Sequence, residues 1–224
     1  MTDSNLNLYD TKGRPHVYDG NTWSVSPESN NVKSSTSDFA ASDIHLLHPS
    51  HLEQKEAETL FTAHFSQFST KAEIFSEKIA EKLYLHWASL LKASNSSKEA
   101  GSRHTLPQQH IVSAWLHDCL ASKLSEDSLH ILELFGRLYI THIRQGKLLF
   151  YQSYPCPQQT MILYFIYQCI QELHLDPKTS HFQCWTESEL DTSISNELQT
   201  RIANIFMGST FEGLQNLLES KQAS

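Results

Sequence analysis

The stretch Leu129–Tyr154, LHILELFGRLYITHIRQGKLLFYQSY, decides how the whole chain is read. Leu129, Leu132, Phe135 and Leu138 recur every third residue, Tyr139 adjoins the last, and Ile131 and Leu134 widen the stripe. That pattern predicts an amphipathic helix. His142 lies three residues beyond Tyr139 and four beyond Leu138, so a continuing helix carries it on the apolar face. Gly146 can close this helix, with Arg144 and Lys147 near the negative end of its dipole. A second helix is expected from about Leu148. An imidazole at the end of an inward stripe, beside a break, is placed to ligate. The same position suits a core histidine that hydrogen-bonds a carbonyl.

Working outward, residues 1–42 are rich in Ser, Asn, Asp and Thr, and Gly13, Pro15, Gly20 and Pro27 interrupt them. Tyr9, Tyr18 and Trp23 occur singly, without a period, so this part reads as a disordered leader. Residues 43–224 read as one helical domain. A helix after Ser50 carries Leu60, Phe61, Phe65 and Phe68, and a second, central one carries Ile74, Phe75, Ile79, Leu83, Tyr84, Trp87 and Leu90. Residues 93–105 form a polar loop. Pro107 opens a helix with Ile111, Val112, Trp115, Leu116 and Leu120, and a turn at Ser125–Asp127 leads into the deciding stretch. Pro155 and Pro157 interrupt the following helix, which resumes as an almost wholly apolar segment to Leu173. Ile194–Leu218 supplies the last helix. The expected class is all-α, with six or seven helices.

Composition excludes several functions. A net charge of −8 over 224 residues, with no Lys/Arg-rich run, argues against nucleic-acid binding. No apolar run reaches the ~20 residues that span a bilayer, and the polar, acidic first residues do not read as a secretory signal, so a cytoplasmic protein without a membrane partner is expected. Four cysteines, Cys119, Cys156, Cys169 and Cys184, lack zinc-type spacing and read as reduced thiols. Thirteen histidines are scattered apart from His45, His48 and His51, which step by three around Pro49 and read as a solvated segment or, less simply, a metal site. No nucleophile elbow, phosphate loop, zincin motif or dinucleotide fingerprint is present, and Glu77–Glu81 and His117–Asp118 read as solvated helix faces. An ordinary enzyme is not expected.

The run His142-Ile-Arg144-Gln-Gly146, followed by Tyr151 and Tyr154, resembles the proximal-helix signature of globin-coupled sensors and protoglobins. Glu81-Lys-Leu83-Tyr84 and Trp115-Leu-His-Asp-Cys-Leu120 are similar to that family's second-helix and distal-helix phrases. The resemblance covers roughly residues 45–220 and implies a globin-like sensor domain. It implies haem as cofactor, with His142 on the iron. Phe135-Gly136 sets a second register, in which Tyr139 takes the ligand position. Leu138, Phe150, Tyr154, Trp115, Leu116, Phe75 and Ile79 are the implied pocket walls. Tyr84 is the implied distal hydrogen-bond donor or else a core aromatic, and His110 and His117 are alternatives.

The implied function is a haem sensor of oxygen or another diatomic gas. With no output module before Ser224, it would signal through a separate partner or a homodimer built on its last two helices. The alternatives are a globin-fold interaction module without haem, and an unrelated helical adaptor.

Overall fold

A computed structural model describes residues 6–9, 15–18, 23–25, 37–68, 72–89, 109–122 and 127–214. The chain divides into two compact units, residues 1–114 and 115–224.

The first unit is built on strands β1 (Leu6–Tyr9), β2 (Pro15–Tyr18), β3 (Trp23–Val25) and β4 (Ser37–Ala40). β1 runs antiparallel to β2 and β2 to β3, whereas β4 lies parallel to β1 on its other side. The chain then leaves this sheet through β5 (His45–His48), helix α1 (Gln54–His64), β6 (Glu73–Ala80) and β7 (Leu83–Ser89), which form a separate three-stranded sheet of order β5-β7-β6. α1 opens where the Glu53 N–H donates to Glu56 Oε2 at 3.1 Å. Its Ala57 and Phe61 pack on Ile44 and Ala88, with Phe65 and Phe68 at the margin. The chain returns as β8 (Gln109–His110), parallel to β4, and passes into α2 (Ile111–Ala121). The completed sheet has the order β3-β2-β1-β4-β8.

The second unit repeats that plan. β9 (Asp127–Leu134), β10 (Arg137–Arg144) and β11 (Lys147–Pro155) make an antiparallel meander. α3 (Thr160–Glu172) leads to β12 (His181–Thr186), parallel to β9, and α4 (Thr192–Arg201) leads to β13 (Ile205–Ser209), parallel to β12. The order β11-β10-β9-β12-β13 matches the first sheet strand for strand and direction for direction. Leu129, Ile131, Leu138, Ile140, Phe182 and Cys184 present one face of this sheet to Ile162, Ile166 and Cys169 of α3 and to Ile194 and Leu198 of α4. Burying such side chains contributes roughly 1.5–3 kcal/mol each.

The all-α expectation is therefore corrected to a mixed α/β fold with three sheets. The deciding stretch is three strands, not two helices. Phe135-Gly136 and Gln145-Gly146 are two-residue turns with φ of 51° and 70°, then 52° and 70°, the left-handed pair that a tight hairpin requires. The expected central helix after Ser69 is the β6–β7 hairpin, turned at Lys82 with φ 57°. The region read as a leader contributes β1–β4, and Leu8 and Phe39 are core residues. Met161–Leu173 is helical as expected, and its buried residues face the sheet. The expected single helix Ile194–Leu218 is instead α4, β13 and a helical stretch at 210–214; its end beyond 214, the polar loop at 93–105 and most of the turn before Asp127 lie outside the described residues.

Candidate functional site

Polar groups gather at the carboxyl ends of β9 and β12, the end of an α/β sheet where ligands usually bind. Glu133 follows Leu129 and Ile131 on the α3/α4 face of β9, two residues before the β9–β10 turn completes. Glu187 is the first residue after β12, which lies parallel to β9. The Glu187 N–H donates to Glu133 Oε2 at 2.7 Å. Thr210 Oγ1 donates to the Glu133 carbonyl at 2.9 Å.

Burial is the main reason both carboxyl groups hold protons more tightly than usual. Glu187 is pushed up to about 7, where the Glu133 charge adds to burial and the Phe135 N–H pulls the other way. Glu133 is raised as well, against the opposing pull of the Glu187 N–H. Burial, helped by the Glu133 charge, therefore keeps Glu187 partly protonated near neutral pH. Burial raises the nearby Cys156 and Cys184 thiols to about 11 and about 12, and the Glu133 charge adds to each shift. The pair can accept or deliver a proton near neutrality.

Gln159, next to the start of α3, fixes the loop beyond Glu187. Its Nε2 donates to Ser188 Oγ at 3.0 Å and to the Glu189 carbonyl at 2.9 Å, and its Oε1 accepts the Asp191 N–H at 2.8 Å. On the opposite face of the sheet His130 bridges Gln183 Oε1 and Ser128 Oγ, each at 2.9 Å. Burial lowers its pKa to about 4, so this imidazole is neutral.

The residues expected around a haem are not gathered into one pocket. Leu138, His142, Phe150 and Tyr154 do share a sheet face, but it is the one that packs under the helices, where Tyr154 stacks on Phe165 at 4.2 Å. Tyr139 lies on the other face, 1 % exposed. His142 is a strand residue whose Nε2 meets Asp127 Oδ1 at 2.7 Å. Trp115 and Leu116 are buried on α2, and Tyr84 stands on β7 of the first unit beside His51. Glu77 is no solvated helix residue either: its Oε1 accepts the Trp87 Nε1–H at 2.8 Å and the His110 N–H at 2.6 Å. Glu133 and Glu187 were missed. The available signal was a lone carboxylate in the apolar run LHILEL.

A family described as "Protein of unknown function (DUF3822)" matches residues 109–205, which contain both glutamates. Among solved structures, a Bacteroides thetaiotaomicron protein with actin-like ATPase fold and unknown function superposes with a TM-score of 0.61 at 11% identity, over 92% of this chain and 91% of that one. The fold of this chain is similar to the one that protein has. No curated protein matches it. These matches, together with the sheets, overturn the resemblance to globin-coupled sensors and protoglobins, and the gas-sensor reading falls with it. The phrases that carried the resemblance lie largely on β7, β10 and β11, where helix spacing has no meaning. Among the described residues no helix is long and apolar enough to cross a membrane.

Proposed function

We propose that this chain is a binding module on the actin-like scaffold and not a nucleotide hydrolase. One observation carries the reading: the Glu187 main-chain N–H, at the carboxyl end of the second sheet, is already taken by Glu133 Oε2 at 2.7 Å. A polyphosphate needs several free main-chain N–H groups or cations converging on it. Here the amide that follows β12 binds an internal carboxyl group instead. Exposed Glu189 and Glu212 lie in the segments that follow β12 and β13, and their charge repels an anion further.

Leu149, Tyr164 and Phe206 support a macromolecular partner, since each is large, apolar and at least half exposed in the second unit. Self-association with a second copy belongs to this reading. So does a cytoplasmic setting, which suits four buried and unpaired thiols.

The test is calorimetric titration of the full chain with Mg·ATP, alongside phosphate release. The reading expects no saturable heat and no release above the blank. Saturable micromolar binding together with hydrolysis overturns it.

A further inference from the structure

The second sheet ends on one side at β11, whose outer edge meets no other strand among the described residues. β11 runs nine residues, against five for β13 at the opposite edge. Edge strands of that length are usually blunted by charge, because a row of outward main-chain groups templates another chain. Residues 148–155, LLFYQSYP, carry no charge at all. Leu149 is 53 % exposed, and Tyr164, on the helix packed over this edge, is 61 % exposed.

The ladder with β10 fixes which way each residue of β11 faces. The Cys156 N–H donates to the Gly136 carbonyl at 2.7 Å, so it points inward. Main-chain direction alternates along an antiparallel pair. Tyr154, Gln152 and Phe150 therefore also turn toward β10, whereas Ser153 and Tyr151 turn their main-chain groups outward. Pro155, which has no N–H, stands at an outward position and takes no bond from the ladder. At the other end Leu149 is the extra residue of a bulge, since Phe150 pairs with His142 and Leu148 with Ile143. A regular outward edge thus spans residues 150–154. Gln152 is its centre, with the bulge before it and the proline after it.

We propose that a second copy of this chain adds its β11 antiparallel to this edge, about a twofold axis through Gln152. The proposal deepens the binding-module reading by naming the partner. The symmetry of the edge itself selects a second copy. In this register the bulged Leu149 meets Pro155, so the two irregular positions fall together at the ends of the ladder. Tyr151 and Ser153 exchange main-chain N–H···O bonds across the axis, and Phe150 faces Tyr154 twice on the helix-packed side. Isologous contacts require this reciprocity. Lys147, the one charge of β11, lies beyond the paired segment and does not meet itself. The axis stands perpendicular to the sheet, so both copies of α3 lie on the same face. Phe165 stacks on Tyr154 at 4.2 Å, and Tyr164 meets Phe165 edge-on. Tyr167, on the other flank of α3, reaches Glu197 of α4. Tyr164 therefore stands on the flank turned from α4, where the second copy's α3 covers it.

Sedimentation equilibrium of the full chain at micromolar concentration tests this. The parent protein should weigh twice 25.6 kDa. Leu149→Lys and Tyr164→Lys place charges at exposed positions of the seam without touching the core. Each should weaken the dimer about tenfold or more. Phe206→Lys, at the opposite edge, should leave it unchanged. Gln152→Cys reports the register, because Gln152 is exposed and the four native thiols are buried. Residues facing each other in a non-hydrogen-bonded pair lie about 4.5 Å apart at Cα, within disulfide reach. A mild thiol oxidant should therefore link Gln152→Cys into a covalent dimer and leave Phe206→Cys unlinked. A monomeric parent overturns the proposal. So does a dimer that both lysine variants leave intact, or one that Gln152→Cys fails to link. Nucleotide hydrolysis by an intact dimer overturns the binding-module reading alone.

Discussion

Glu187 donates its main-chain N–H to Glu133 Oε2 across 2.7 Å, while burial and the Glu133 charge raise the pKa of its own carboxyl group. The link joins the carboxyl ends of two parallel strands, β9 and β12, directly behind the β9–β10 turn. Its stabilising effect depends on pH. Glu187 has a folded pKa of about 7 against an ordinary 4.5, so the folded state holds the extra proton between those values. Stability from this group is fully present below about 4.5 and is lost as pH rises through 7. The melting temperature should fall between pH 5 and 8. Glu187→Gln keeps an N–H donor toward Glu133 but cannot ionise, so it should flatten that decline. An unchanged pH profile in the variant counts against the raised Glu187 pKa as its cause.

Asp127 anchors the other end of β9. It accepts from His142 Nε2 at 2.7 Å and from Arg144 Nε at 2.5 Å, and the Arg144 hydrogen bond is the chief reason its carboxyl is held below the usual range. Arg144 is half exposed, and Arg144→Ala should cost only about 0.2–1 kcal/mol. His142 is 3 % exposed, so Asp127→Ala strips a buried imidazole of its acceptor, at about 1–3 kcal/mol. Urea unfolding of the two variants should show that ranking, and the reverse order would count against it.

Much of the fold was legible in Leu129–Tyr154, although the wrong period was read there. Leu129, Ile131 and Glu133 alternate with Ser128, His130 and Leu132, yet both sets are largely buried, so the strand reads as a continuous apolar run that a three-residue count also fits. The arbiters were the two X-Gly pairs, Phe135-Gly136 and Gln145-Gly146, each bounded by eight- or nine-residue runs, with β10 and β11 rich in β-branched or aromatic residues. α1, α2 and α3 were visible because their apolar spacing has caps or prolines at its edges. The candidate sites were not legible. Glu133 and Glu187 are 54 positions apart, and β11 is an edge strand only through a pairing that the fold supplies.

Trp185 tests the packing at the edge of the second sheet. A Cβ built on Gly208 would lie 2.6 Å from the Trp185 ring, and one on Gly213 would lie 3.0 Å from it. The indole covers β13 only because both positions lack side chains. Gly208→Ala should therefore force the ring aside and cost about 1–3 kcal/mol. The check is a lowered urea midpoint, and an unchanged midpoint would show that the ring is not held there.

In the first unit, Glu77 supports two buried groups from one oxygen. Oε1 accepts the Trp87 indole N–H and the His110 main-chain N–H, and both residues are 0 % exposed. His110 in turn joins the points where the inserted sheet leaves and rejoins the main one. The Val112 N–H points to its Nδ1 at 3.2 Å and the Ser42 N–H to its Nε2 at 2.9 Å. Burial keeps this imidazole neutral, with its pKa well below normal. Glu77→Ala should leave both N–H groups without this acceptor, at about 1–3 kcal/mol for each, and should shift Trp87 fluorescence. Glu77→Gln retains a carbonyl oxygen in the same place, so it should recover most of that loss. If Gln and Ala prove equally destabilising, the carboxylate charge rather than the shared acceptor holds the insertion in place. If neither destabilises, Glu77 does not organise this junction.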